Sequence, residues 1–313
     1  MSWLGGACAI AVALAGCGGA EVAATVQTTA AHAAAQTRPR PAQTVSSPGV
    51  VPVVTVQLYG PLAQYTQYVE AKLARLRPQL AALRAAAASG NLGAAESDWL
   101  AAHSTWLELG QDDDAYGAFG DLGERIDGEA NGLRGTTSNP SFTGFHRVEM
   151  DLWERHDLTA AAGDARELAA LAGQLTAARV QRDLPNSATA LDAWVLRCHE
   201  ILEDALRDSL SQDDDYGSNS DLVSLRADVS ATRQMLKLLA PLIEQRQPAI
   251  VPSATRELAA IDGAINAAGG ARAGRSLARL PLRQRQALDE TTGAALETLA
   301  PVSELMQISV PGT

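Results

Sequence analysis

Hydrophobic positions along most of this chain recur every three or four residues. Tyr65, Tyr68, Val69, Leu73, Leu76, Leu80 and Leu83 form one such stripe and predict a helix over 58–88. Ser89-Gly90-Asn91 then supplies C-cap chemistry. A second helix is predicted over 92–109, with Trp99, Leu100, Trp106 and Leu107 facing the core. Two helices joined by a short Gly turn lie antiparallel. A breaker-rich run, 135–140, precedes Thr143, from which a helix is predicted up to Gly163. The same periodicity continues over 164–181 until Pro185, then over 187–209, 221–239, 253–268 and 281–299. Gly269, Gly270 and Gly274 mark the loop between the last two helices.

Composition agrees with helices. The 313 residues are 46% hydrophobic, enough for a sizeable core, but only 4% aromatic. A chain rich in Ala and Leu and poor in aromatics favours helix over sheet. The net charge of −11 argues against nucleic acid, and against an anionic membrane surface, as partner. It suits a protein that handles cations, although solubility explains it equally well. Arg272 to Arg285 is the one basic stretch and reads as a solvated face.

The first residues follow a different pattern. Residues 3–17 form a short apolar run ending Leu14-Ala15-Gly16-Cys17, which reads as a secretory signal peptide and is too short to span a membrane. No Lys or Arg precedes it. The ending resembles a bacterial lipobox, with Cys17 as the lipidated residue. Pro39, Pro41, Pro48 and Pro52 fall in a segment rich in Ala, Thr and Gln, which reads as a flexible tether. The expected organisation is a signal peptide over 1–17, a tether over 18–55 and a helical domain over 56–307. Cys8 would leave with the signal and Cys17 would carry lipid, so Cys198 stands alone as a small core residue and no internal disulfide framework is expected.

The candidate chemistry centres on Thr143-Gly144-Phe145-His146-Arg147-Val148-Glu149-Met150-Asp151-Leu152-Trp153. On a helix His146 and Glu149 share a face. That places an imidazole and a carboxylate together, as in the metal sites of helix bundles. Alone, His-x-x-Glu is a weak signal, and its bland reading is a polar helix face. The longer string resembles the signature of the imelysin-like proteins, in particular the EfeO/EfeM branch, which reads Gly-x-His-x-x-Glu followed by Leu-Trp.

That resemblance implies an all-α bundle of two related antiparallel helical halves with the site between them. It implies a non-enzymatic envelope protein that binds ferrous or ferric iron and passes it to the membrane permease of an EfeUOB-like system. The stretch Phe119-Gly120-Asp121-Leu122 to Ile126-Asp127 also resembles the family and makes Asp127 a third candidate ligand. Glu108 and Glu203 are the fourth and fifth, with Asp121 and Asp221 in supporting positions. Gln212-Asp213-Asp214-Asp215-Tyr216-Gly217 echoes Gln111 to Gly117 at an offset of 212 − 111 = 101 residues, which fits two similar halves. The segment between Cys17 and Leu58 is too short for the cupredoxin domain of longer relatives, so the chain resembles the shorter form. The expected location is the cell envelope, held at the membrane by the lipid anchor.

One imidazole among several carboxylates suits hard or borderline cations, whereas soft copper would want Cys or Met. Ligand type does not separate iron from manganese or zinc. Two other readings stand beside the iron carrier. One is an imelysin-type metallopeptidase, although no His-Glu-x-x-His occurs. The other is a non-catalytic interaction lipoprotein, or a heme binder, in which His146 is structural. His199 and Glu203 form a second same-face pair, and there the reading is a surface or partly buried His.

Overall fold

The predicted stripe on the first helix is what the fold is built on. In a computed structural model, α1 (Thr55–Ala88) buries Leu58, Leu62, Tyr65, Val69, Leu73, Leu76, Leu80, Leu83 and Ala87. Those positions step by three and four, so they stay on one side of a 3.6-residue helix. Each buried leucine contributes roughly 1.5–3 kcal/mol of transfer free energy. Pro78 interrupts the hydrogen-bond ladder on the solvent side, where the orphaned carbonyl can be hydrated. The structure describes residues 55–110, 118–130, 133–184 and 188–306. The expected signal peptide, nearly all of the tether and the Gln111–Gly117 acidic run lie outside them.

The described residues are helical, with no strand among them. After α1 come α2 (Leu92–Leu107), α3 (Asp121–Asp127), α4 (Gly144–Glu149), α5 (Leu158–Gly173) and α6 (Ala177–Asp183). Then follow α7 (Ala188–Arg207), α8 (Asp221–Glu244), α9 (Ile250–Ala267), α10 (Leu282–Leu299) and α11 (Pro301–Leu305). Two closed rings organise them. In the first, α1 packs on α2 and α5, and α4 packs on α2 and α5. In the second, α8 packs on α7 and α9, and α10 packs on α7 and α9. Contacts of α8 with α1 and α2 join the rings. The two acidic runs follow α2 and α7, the second helix of one ring and the first of the other.

Several boundaries differ from the sequence expectation. The helix predicted from Thr143 to Gly163 is three pieces: α4, a π-helical turn over Met150–Glu154 and, after Arg155–Asp157, α5. Asp157 restarts the chain as the α5 N-cap, its carboxylate accepting from the Thr159 and Ala160 amides. The stretch predicted over 164–181 is divided in the same way, by the Thr176 cap of α6. Conversely, α8 runs past its predicted end at Leu239 and through Pro241, which sits on the exposed side.

Polar groups are also buried. Arg197 is fully enclosed, donating to the Asp204 carboxylate at 2.8 Å and to the Gly110 carbonyl at 3.1 Å. A buried guanidinium needs such partners because an uncompensated charge is costly away from water. Cys198 beside it is buried, and burial pushes its thiol up to about 12, which fits the core role expected for it.

Candidate metal centre

Three elements, α2, α3 and α4, converge on one buried point. Trp99 on α2 is buried and its indole N–H donates to the Phe145 carbonyl at 2.9 Å, which fixes α2 against α4. His103 lies one turn beyond Trp99 on the same face, its ring 4.6 Å from the indole. His146 lies next to Phe145, and the two imidazoles meet edge to face with centroids 5.2 Å apart.

Asp127 ends α3, and two glycines bring it to His146. Gly128 and Gly144 both have left-handed φ, +84° and +75°. A Cβ on Gly144 would sit 2.3 Å from the Ile126 carbonyl oxygen, and one on Gly128 would sit 1.6 Å from that of Thr143. The end of α3 and the start of α4 are therefore in backbone contact, an approach that only glycine permits. The Thr143 hydroxyl donates to the Arg125 carbonyl across the same seam. This is the physical reason for the Gly before Phe-His in the motif.

His103, Asp127 and His146 are all buried, and one potential ligand atom from each lies within 4.8 Å of the others. The His103 Nε2 to Asp127 Oδ1 distance is 3.7 Å, and neither atom has a hydrogen-bond partner. Two donors bound to one ion at about 2.1 Å cannot be more than about 4.2 Å apart, so small rotations would close this set around a cation. Unpartnered buried polar atoms are costly, and a cation would satisfy both.

Glu149 is placed behind this group. Its Oε2 meets His146 Nδ1 at 2.9 Å, and its Oε1 accepts from the Tyr216 and Ser218 amides, both at 3.1 Å. With Nδ1 committed, Nε2 is the nitrogen His146 has left to offer. A carboxylate on the far nitrogen orients an imidazole and raises its basicity, as in carboxylate–histidine–metal arrangements. Burial alone would depress the His146 pKa. The Glu149 hydrogen bond and the Asp127 charge outweigh it and raise the pKa to about 10. Burial holds His103 below its usual value, so its imidazole is neutral.

More acid surrounds the centre. Burial lifts Glu129 to about 8, with the Asp127 charge adding to it. Burial lifts Asp214, on the connection from α7 to α8, to about 7. Asp221, at the start of α8, is buried and raised to about 8, first by burial and then by Asp215. Its Oδ2 has no hydrogen-bond partner.

The other expected residues stand apart. Glu108 pairs with Lys72, and the Tyr68 hydroxyl donates to its carbonyl. Glu203 is exposed and faces His199 at 3.5 Å; the neighbouring Asp204 turns inward to Arg197 instead. Asp121 is exposed in the first turn of α3. The sequence reading did not single out His103, Glu129 or Asp214. The signal for His103 was present: it is a His on the buried Ala95-Trp99-Ala102-Trp106 face of α2.

Fold and site thus define an all-α protein with a buried His–Asp–His group held by α2, α3 and α4. The family model described as Imelysin (Peptidase_M75) matches residues 61–302, most of the chain, and the chain belongs to the imelysin family. It is also similar to the "Iron uptake system component EfeO" of Yersinia pseudotuberculosis serotype I (strain IP32953) and of Yersinia pestis. Each is 25% identical over 188 residues, which is 60% of this chain and 48% of the Yersinia protein. The chain therefore spans about half the length of these relatives.

Proposed function

We propose that this chain is a metal-carrying component of an iron-uptake system. His103, Asp127 and His146 hold the ion, and Glu149 orients His146. The observation that carries the reading is the buried meeting of two imidazoles and one carboxylate, with His103 Nε2 and Asp127 Oδ1 lacking partners. Two nitrogens and one oxygen on one side of an ion, with positions left open, suit ferrous iron and also zinc. The names of the Yersinia relatives favour iron. Iron is the cargo, bound from outside and delivered to a membrane permease. The expected signal peptide and Cys17 would hold the carrier at the envelope surface; among the described residues no helix is long and apolar enough to cross a membrane.

The reading is of a carrier, not a hydrolase, despite the peptidase in the family's name. Titration of the full chain with ferrous, ferric, zinc and manganese ions tests it. Wild type should bind iron tightly, and His103→Ala and Asp127→Ala should each weaken binding about a hundredfold or more while helicity is kept. Affinity unchanged in both variants contradicts the assignment. Mass spectrometry of the membrane fraction checks the lipid on Cys17.

A further inference from the structure

Between Asp262 and Asp289 the chain has no acidic residue, although it has 36 in all. Within that interval stand Arg272, Arg275, Arg279, Arg283 and Arg285. All but Arg275 are exposed, and none of the five side chains has a hydrogen bond or ion pair among the described residues. Elsewhere arginines are mostly paired: Arg147 with Asp164, Arg155 with Asp151, Arg179 with Asp183, Arg233 with Asp262. Other unpaired ones, such as Arg75, Arg84 and Arg166, are scattered singly on α1 and α5. A cluster of unpaired guanidinium groups on an otherwise acidic protein is a local positive field.

The same segment carries Leu282, 60% exposed and one of three large exposed hydrophobic side chains among the described residues. Leu282 borders a groove of about 140 Å³ lined also by Leu210, Leu277, Leu288, Arg285 and Asp289. That volume accepts one aliphatic side chain. A slot with leucines along it and Arg285, Gln286 and Asp289 at its polar side, beside free arginines, is the layout of a protein interface, with an aliphatic anchor inside a charged rim. A fluid lipid surface would use the charge but has no need of the slot.

The segment also touches the frame of the metal centre. The Gly274 amide donates to the Ser218 carbonyl at 2.8 Å, and the Arg275 amide to the Asn219 carbonyl at 3.2 Å. Ser218 in turn donates its amide to Glu149. A partner seated on the arginines would press on the turn that holds the His146 orienter.

We infer that residues 272–288 form the docking face for an acidic protein segment with one aliphatic anchor among its carboxylates. The face deepens the carrier reading and rests on it for its purpose, since a carrier needs a recipient. The binding test itself needs no metal. The probe is a fluorescent peptide with a central Leu between pairs of Glu, titrated with the full chain at low and high salt. Binding should weaken as salt rises. Replacing the peptide Leu with Ser should weaken it about fivefold, and R279E/R283E about tenfold or more, with Arg166→Glu as the neutral control. Iron titration of R279E/R283E should match wild type, which separates this test from the metal assignment. Peptide binding that ignores the charge reversal or the Leu overturns the proposal. So does binding only to vesicles containing phosphatidylglycerol, which would make the face a lipid contact.

Discussion

Each helical ring carries a histidine and a glutamate at same-face spacing, and the two pairs have different fates. His146 and Glu149 are 3% and 1% exposed and 2.9 Å apart, with a second imidazole and Asp127 gathered beside them. His199 and Glu203 are 23% and 58% exposed and 3.5 Å apart, on the outer side of α7. Spacing makes both pairs; only burial and convergence make a site. Around the first pair, α2 and the short, glycine-joined α3 and α4 bring His103, Asp127 and His146 together. In the second ring, α7 turns His199 and Glu203 outward, while its buried polar residues Arg197, Glu200 and Asp204 pair with one another.

The largest way to break this contrast is to part α3 from α4. Gly144→Ala puts a Cβ into the Ile126 carbonyl and demands left-handed φ from alanine. We expect a loss of about 3 kcal/mol or more in chemical denaturation, and loss of metal binding with it. Gly163→Ala, in the open on α5, should be neutral or slightly stabilising.

Next in size is the direct comparison of histidines. His146→Ala should weaken iron binding about a hundredfold or more, and His199→Ala should leave it unchanged, both read by calorimetric titration. Equal losses from the two would mean that the second pair is also a site. Glu149→Gln should cost about tenfold to a hundredfold in affinity, because the amide no longer holds His146 as a carboxylate does. Glu203→Gln should change stability by less than about 0.5 kcal/mol and affinity not at all.

The pH dependence is the subtlest. A His146 pKa raised to about 10 means that the metal-free fold holds a proton the unfolded chain would release. That contribution is complete below about 6.5 and is lost as pH rises through 10. Glu129, Asp214 and Asp221 act in the same sense at lower pH, between their ordinary values and about 7 to 8. Above pH 7, His103 and Glu149, both shifted downward, hold the same charge folded and unfolded. The melting temperature of the metal-free protein should therefore fall from pH 7 to 10, less steeply in His146→Ala. Because an ion must displace the His146 proton, metal affinity should rise by about tenfold per pH unit between 7 and 9. A flat profile contradicts the proton-linked site.

Much of the helical architecture was legible because stripes such as Leu73-Leu76-Leu80-Leu83 carry their period in every turn. The broken motif helix was not: no Gly or Pro marks the π-helical turn at Met150–Glu154, and the arginines paired with buried Asp151 stand four residues to either side, a spacing that an unbroken helix has as well. Gly144, His146, Glu149 and Asp127 stood out by their local string. His103 carried only the signal of a lone His on a buried helix face, because nothing in the sequence around Trp99 says that α2 will face α4. Glu108 and Glu203 looked alike in sequence, yet Lys72 and open water decide their surroundings.

The account turns on two imidazoles and one carboxylate binding a single ion. X-ray absorption of the iron-loaded full chain counts them directly. Two histidine nitrogens in the iron shell, falling to one in His103→Ala, is the predicted result. A shell made only of oxygens, or one unchanged by His103→Ala, would place the ion elsewhere and contradict the account.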